Sequence, residues 1–200
     1  MGKIILDLCG GTGSWSKPYK NAGYDVRVVT LPDNDVKTYT PPQRVYGILA
    51  APPCPEFSFC RTNAKNPRNL HQGMDIVRAC LEIIWKCQYE IESDVSKKSP
   101  LKFWALENPS GMLNWFLGHP TFEFQPYEYG DNYKKRTCLW GYFNEPKREV
   151  NLSFLPQYQE KFDRMKTKDI HGEFYGSLSR TERRAITPQG FAKAFFEANP

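Results

Sequence analysis

Three side chains able to do chemistry stand at the ends of apolar runs: Asp7, Cys54 and Glu107. Cys54 closes Leu49-Ala-Ala-Pro-Pro-Cys54, in which Val45, Ile48, Leu49, Ala50 and Ala51 read as a buried strand. Pro52 and Pro53 stop that strand because neither has an N–H to give to a ladder. The thiol therefore lies just past a strand end, on a stiff Pro-Cys-Pro turn. In an open α/β sheet ligands bind outside the strand carboxyl ends, so a nucleophile there is placed for covalent chemistry. The same thiol would serve equally as a small buried hydrophobe. Glu107 repeats the arrangement, following the apolar run 102–106 directly and preceding Asn108 and Pro109.

Asp7 lies in the strand 3–8 and precedes Cys9-Gly-Gly-Thr-Gly13, with a helical stretch over 14–22. A strand, a glycine turn and a helix start let backbone approach a nucleotide-like ligand closely. The spacing is neither the dinucleotide fingerprint nor a phosphate loop, since the third glycine and the Gly-Lys-Ser/Thr are both missing. A carboxylate here disfavours phosphate and suits a cationic ligand. A plain tight turn would use the same glycines.

The remaining elements must position these groups. A second strand over 24–31 runs almost at once into Pro32-Asp-Asn-Asp35-Val36, which leaves no room for a crossover helix between Thr30 and Asp35. Residues 57–72 read as a polar loop carrying Arg61, Lys65 and Arg68. The spacing predicts a helix over 73–90, with Met74, Val77, Cys80, Leu81, Ile84 and Cys87 inward and charges on the other face. A charged loop follows over 91–100. Strands over 122–126 and 137–140 flank a turn with Lys134, Lys135 and Arg136, which is either a charged hairpin or a cationic subsite. From 142 to 184 basic and aromatic residues mix without periodicity, as on a nucleic-acid surface or a solvated face. A closing helix has Thr187 as N-cap, Pro188 first, and Phe191, Ala194, Phe195 and Ala198 inward.

Composition sets the bounds. The chain has 200 residues, 40% hydrophobic and 14% aromatic, enough for one core and one domain over 1–200. Its net charge of +5 permits a polyanionic partner. The six cysteines form no C-x-x-C pair and no charged-then-apolar leader stands at the start, so a reducing, cytoplasmic compartment is expected. No apolar run is long enough for a membrane span, and no membrane partner is expected.

Taken together, four stretches resemble the DNA cytosine-5 methyltransferases, in that family's order and over most of the chain. Asp7-Leu-Cys-Gly-Gly-Thr-Gly13 is similar to its S-adenosylmethionine loop. Pro52-Pro-Cys54 with Phe57-Ser58 is similar to its nucleophile motif, Glu107-Asn-Pro109 to Glu-Asn-Val, and Asn132-Tyr-Lys-Lys-Arg136 with Gly141 to Gln-x-Arg-x-Arg. The resemblance implies a Rossmann-like, S-adenosylmethionine-dependent methyltransferase fold, α/β with a mostly parallel sheet and a C-terminal antiparallel strand. It implies methyl transfer to cytosine C5 in DNA through a Cys54–C6 adduct. The implied catalytic residues are Cys54, Glu107, Lys134 and Arg136. The implied cofactor residues are Asp7, Leu8, Cys9, Gly10, Gly11, Thr12, Gly13, Leu31, Asp33, Asp35, Val36 and Pro53, with no metal. The implied partner is DNA with its target cytosine flipped out, and a protein partner could supply specificity.

The chain departs from the family at several positions. Cys9 replaces Phe, Pro55 Gln, Pro109 Val, Asn132 Gln and Lys134 Arg, and none of these removes a required functional group. Where the family places an acid for the ribose, Thr30-Leu-Pro stands and Asp33 is the substitute; the family's final Asn-Val motif is not clear. Three other readings stand beside this one. One is an RNA cytosine-5 methyltransferase and another a catalytically silent nucleic-acid-binding module that keeps the fold. The third is a zinc deaminase spelled by His171-Gly-Glu173, which lacks the P-C-x-x-C downstream. The interval 142–186 stands as a reduced target-recognition segment with few bidentate base readers, so a relaxed target of at most about three base pairs is expected. Sequencing methylated sites in a random library checks this: a fixed motif of four or more pairs would overturn it.

Overall fold

Alternation along the first strand sets the layers. The computed structural model describes residues 2–59, 61, 65–89, 101–131, 133–148, 160–161 and 171–200. In β1 (Ile4–Leu8), Ile5 packs with Trp15, Tyr19, Phe191 and Phe195, whereas Leu6 and Leu8 pack with Val77, Cys80 and Ile84. One face is thus covered by α1 (Lys17–Asn21) and α5 (Gln189–Ala198), and the other by α2 (Leu70–Gln88). Between them lie β2 (Asp25–Val29), β3 (Val45–Ala50), β4 (Phe103–Pro109), β5 (Phe122–Phe124) and β7 (Thr137–Tyr142).

The sheet order is β2-β1-β3-β4-β7-β5. β1 pairs parallel with β2 and β3, and β3 with β4, while β7 runs antiparallel to both β4 and β5. This is the Rossmann-like α/β architecture expected, mostly parallel with one reversed strand. The chain leaves β1 for β2 on one side and returns to β3 on the other. That reversal makes the carboxyl end of β1 a topological switch point, where such sheets bind ligands. No helix among the described residues separates β2 from β3, as the short connection predicts.

Several boundaries differ from expectation. α2 begins at Leu70 and not at 73, because the Asn69 side chain accepts the Gln72 N–H at 3.0 Å and caps the helix. β4 does not stop before Glu107 but carries it inside the strand, since β7 pairs along it as far as Pro109↔Thr137. α5 starts at Gln189 with Pro188 as its cap; the Thr187 N–H instead bonds Ser14 Oγ at 2.9 Å. Ala198 is only half-buried. A helix that the periodicity misses, α4 (Arg180–Ala185), is capped reciprocally by Ser179 and Glu182. Smaller elements are α3 (Asn114–Leu117), a 3-10 turn over Pro126–Tyr129, and β6 (Tyr133–Lys134) paired parallel with β8 (Glu160–Lys161). The expected loop 91–100 and two stretches of the segment 142–186 (149–159 and 162–170), with Asn132, lie outside the described residues. No helix among the described residues is long and apolar enough to cross a membrane.

Aromatic packing locks α5 onto the sheet. Phe191 is fully buried and stacks on Phe124 with ring centroids 3.8 Å apart, and Tyr129 and Trp15 meet its other sides. The Tyr19 hydroxyl donates to the Asn199 carbonyl at 2.9 Å, tying α1 to the end of α5. Phe191→Ala should cost about 3–5 kcal/mol, the range for emptying a buried aromatic site. Urea unfolding checks this; a loss under about 1 kcal/mol would show that the layer collapses to fill the space.

Candidate active site

The first part of the site is the turn after β1. The Cys9 N–H extends the ladder to the Val29 carbonyl at 2.8 Å, and the chain then turns with Cys9 at φ 57°, Gly11 at 54° and Gly13 at 69°. A non-glycine residue in that left-handed region is strained, a feature that concentrates at functional sites. The turn folds over Asp7, which is fully buried and accepts from Ser16 Oγ at 2.6 Å. A Cβ at Gly10 would collide with the Asp7 carboxylate, so only glycine lets the backbone pass so close. The other oxygen, Asp7 Oδ1, is buried without a partner. Burial pushes the Asp7 carboxyl up to about 6, against the opposing pull of the Ser16 bonds.

The second part is the turn after β3. The Ala51 N–H reaches the Leu8 carbonyl at 2.9 Å, after which the two prolines end the pairing. The buried Asn108 side chain donates to the Pro52 carbonyl at 2.9 Å. The N–H groups of Phe57 and Ser58 both turn back to the Cys54 carbonyl at 3.0 Å. Phe57 is buried beneath this turn, and its carbonyl accepts the Met112 N–H at 2.9 Å. A Cβ on Gly111 would collide with that same carbonyl oxygen. The cysteine turn is therefore clamped to β4 and to the segment after it.

Charged groups act on the thiol. Cys54 is half-buried, and burial raises its thiol; the Lys135 ammonium opposes that, the Glu107 carboxyl adds to it, and the Arg184 guanidinium opposes it. Glu107 is itself raised by burial, with Lys135 pulling the other way. Lys135 Nζ donates to the Arg184 carbonyl at 3.1 Å, which fixes it against the end of α4.

The charge of Glu107 is thus felt at Cys54, whereas Lys134 and Arg136 turn elsewhere. Lys134 Nζ lies 5.9 Å over the Tyr127 ring. Arg136 Nε donates to Glu123 Oε2 at 2.8 Å, beside Cys138. Extended chain alternates sides, so a residue between 134 and 136 faces opposite to both, and Lys135 is that residue. Of the expected cofactor residues, Leu8 and Val36 have their side chains in the core. Gly11, Thr12, Leu31, Asp33 and Pro53 are exposed, and Cys9, Gly10 and Gly13 are half-buried. Asp35 is half-buried and its Oδ1 accepts the Lys37 N–H at 2.9 Å. Sequence reasoning missed Lys135, Arg184, Ser16 and Asn108. The Ser179-x-x-Glu182 capping box was the available signal for α4 and hence for Arg184. Among the described residues no group of three or more His, Cys, Asp or Glu side chains could hold a metal.

No family model matches the chain, and no curated protein matches it. Solved structures do match, among them a methyltransferase of Entamoeba histolytica, EhMeth. The likeness is 11% identity with a TM-score of 0.38, covering 80% of this chain and 58% of that one. So distant a likeness assigns no chemistry to individual residues.

The raised Asp7 pKa has a stability consequence with a definite sign. Above about 6 the fold carries the buried charge, and below the ordinary value of 3.8 that cost is gone, so Asp7 destabilises increasingly as pH rises through this window. Asp7→Asn should therefore gain on wild type between pH 4 and pH 7, by up to about 3 kcal/mol. Denaturation of both proteins at the two pH values checks this; a pH-independent difference would show that Asp7 keeps an ordinary pKa.

Proposed function

We propose that the protein transfers a methyl group from S-adenosylmethionine to C5 of cytosine in DNA, with Cys54 as nucleophile. The observation that carries this reading is the convergence of thiol, carboxyl and two cations beside a glycine turn at the switch point. The turn also suits the donor. Its carboxylate has a buried, unpartnered oxygen, its backbone passes where a Cβ cannot, and no lysine stands in 7–13. Those features fit a sulfonium and amino-acid ligand better than a phosphate. The turn 7–13, with Leu31, Asp33, Asp35, Val36 and Pro53 around it, would hold the donor, which when bound supplies an electrophilic methyl group.

The residues of the chain do the rest. Cytosine C5 is unreactive until C6 has been attacked, so the Cys54 thiolate forms a bond to C6 and makes C5 enamine-like. Glu107, raised by burial, keeps its proton at higher pH than an exposed carboxyl and gives it to N3 as negative charge builds on the ring. Lys135 and Arg184 favour the thiolate over the thiol and offset charge in the pocket. After transfer the C5 proton passes to solvent and its C–H pair forms the C5=C6 double bond; the Cys54–C6 bond breaks with its pair on sulfur, and N3 returns its proton to Glu107. In this reading the cation beside the thiol is Lys135, not the Lys134 and Arg136 that the family pattern marks.

Incubation of protein, DNA and labelled donor, followed by digestion to nucleosides, tests the reading through the appearance of 5-methylcytosine. Cys54→Ser should abolish the product and leave donor binding nearly intact. Lys135→Ala should slow transfer at least about tenfold, the scale of a lost charge-assisted contact, whereas Arg136→Ala, which breaks an exposed pair, should change it little. Wild-type turnover by Cys54→Ser would sink the covalent mechanism. Product in RNA but not DNA would move the substrate.

A further inference from the structure

Large exposed apolar side chains cluster beside the cysteine turn, and all of them are aromatic. Phe59 is 53% exposed, Trp115 69% and Phe116 46%. Phe59 and Trp115 lie side by side with centroids 6.2 Å apart, tilted by 58°. Beneath them the fully buried Phe57 meets Phe116 at 6.4 Å. A single exposed ring on a surface needs no explanation, but three contiguous ones mark a binding surface.

The patch is rigidly tied to the site. Phe59 is five residues beyond Cys54, at most about 17 Å of extended chain and less here because the turn folds back. Trp115 is fixed through its N–H to Met112, whose own N–H holds the Phe57 carbonyl, and Ser58 bridges to Gly111. The charge around it is positive. Arg68 binds the carbonyls of Glu56 and Ser58 at 3.0 and 2.8 Å, Lys65 is exposed, and the neighbouring carboxylate of Glu56 is already paired with Arg61.

Exposed aromatic rings beside excess cations and near the Cys54 turn match the chemistry of unpaired bases on a phosphate backbone. Every base has a face to stack, and a duplex hides those faces. We propose that Phe59 and Trp115 form a stacking platform for bases flanking the target cytosine, so that single-stranded DNA is the preferred substrate. This rests on the reading of the site as one that acts on DNA.

The test is fluorescence anisotropy with the full chain, using a labelled cytosine-containing single strand and the same strand in a duplex. Wild type should bind the single strand more tightly. Phe59→Ala and Trp115→Ala should each weaken that binding by about fivefold to a hundredfold, and Trp115→Phe should restore most of it. The salt dependence should stay unchanged, because phosphate contacts remain. A double variant that binds like wild type, a preference for duplex, or no binding of the single strand would overturn the platform. If the platform variants lose binding in a protein that transfers no methyl group, the platform stands and the proposed reaction falls. Unchanged methyl transfer by the double variant would instead leave the reaction standing and remove the platform.

Discussion

The bond from the Asn108 amide to the Pro52 carbonyl, 2.9 Å long and fully buried on the Asn108 side, is the constraint on which the site depends. The β3–β4 ladder ends at Ala50↔Leu106, and the two prolines that follow have no N–H to extend it. Without another tie the cysteine turn would leave the sheet free of its neighbour. A side chain supplies what the backbone cannot, and it comes from the residue next to Glu107. Because successive residues of a strand face opposite ways, an Asn108 aimed at the proline turn leaves Glu107 on the other face, where it meets Lys135 and the thiol. One hydrogen bond thus sets both the turn and the orientation of the carboxyl group. The pairing of β7 along Glu107, Asn108 and Pro109 then holds that stretch straight.

The same alternation separates two cationic systems. Arg136 and Cys138 look toward Glu123, and Leu139 belongs with the aromatic layer under α5. A run of three cations at 134–136 therefore does not act as one patch. Arg136 closes an exposed ion pair and Lys134 lies over a tyrosine ring, whereas Lys135 is held by the carbonyl of Arg184 and acts on Cys54 and Glu107. Exposed pairs of the first kind contribute little to stability. A cation beside a half-buried thiol and carboxyl has a larger effect, because water screens it less.

Much of this was legible in the sequence, for identifiable reasons. Continuous apolar runs ended by glycine or proline located β1 and β3 closely, and the chemistry-bearing residues at their ends stand at the carboxyl edge as expected. The stripe of α2 revealed the helix but not its start, because Asn69 acts through a cap that periodicity does not register. Glu107 read as following a strand, since the pairing that extends β4 depends on β7, far away in sequence. Lys135 was hidden by an ambiguity of parity: a motif match favours 134 and 136, and only the direction in which the chain enters β7 decides between the two sets. Ser16 was invisible as the partner of Asp7, because nothing local says that the turn will fold back over the strand it has just left.

Electrostatics also bear on how the thiol and the carboxyl are kept. Burial raises both the thiol of Cys54 and the carboxyl of Glu107, so each is pushed toward its neutral form. Two neutral groups in a half-buried cleft avoid the cost of unpaired buried charge, and the carboxyl does not repel a thiolate while it holds its proton. Lys135 works against this in both groups, lowering each. The balance differs between the two acids, because Arg184 adds to Lys135 at the thiol, whereas at the carboxyl it is Lys135 that opposes the rise from burial.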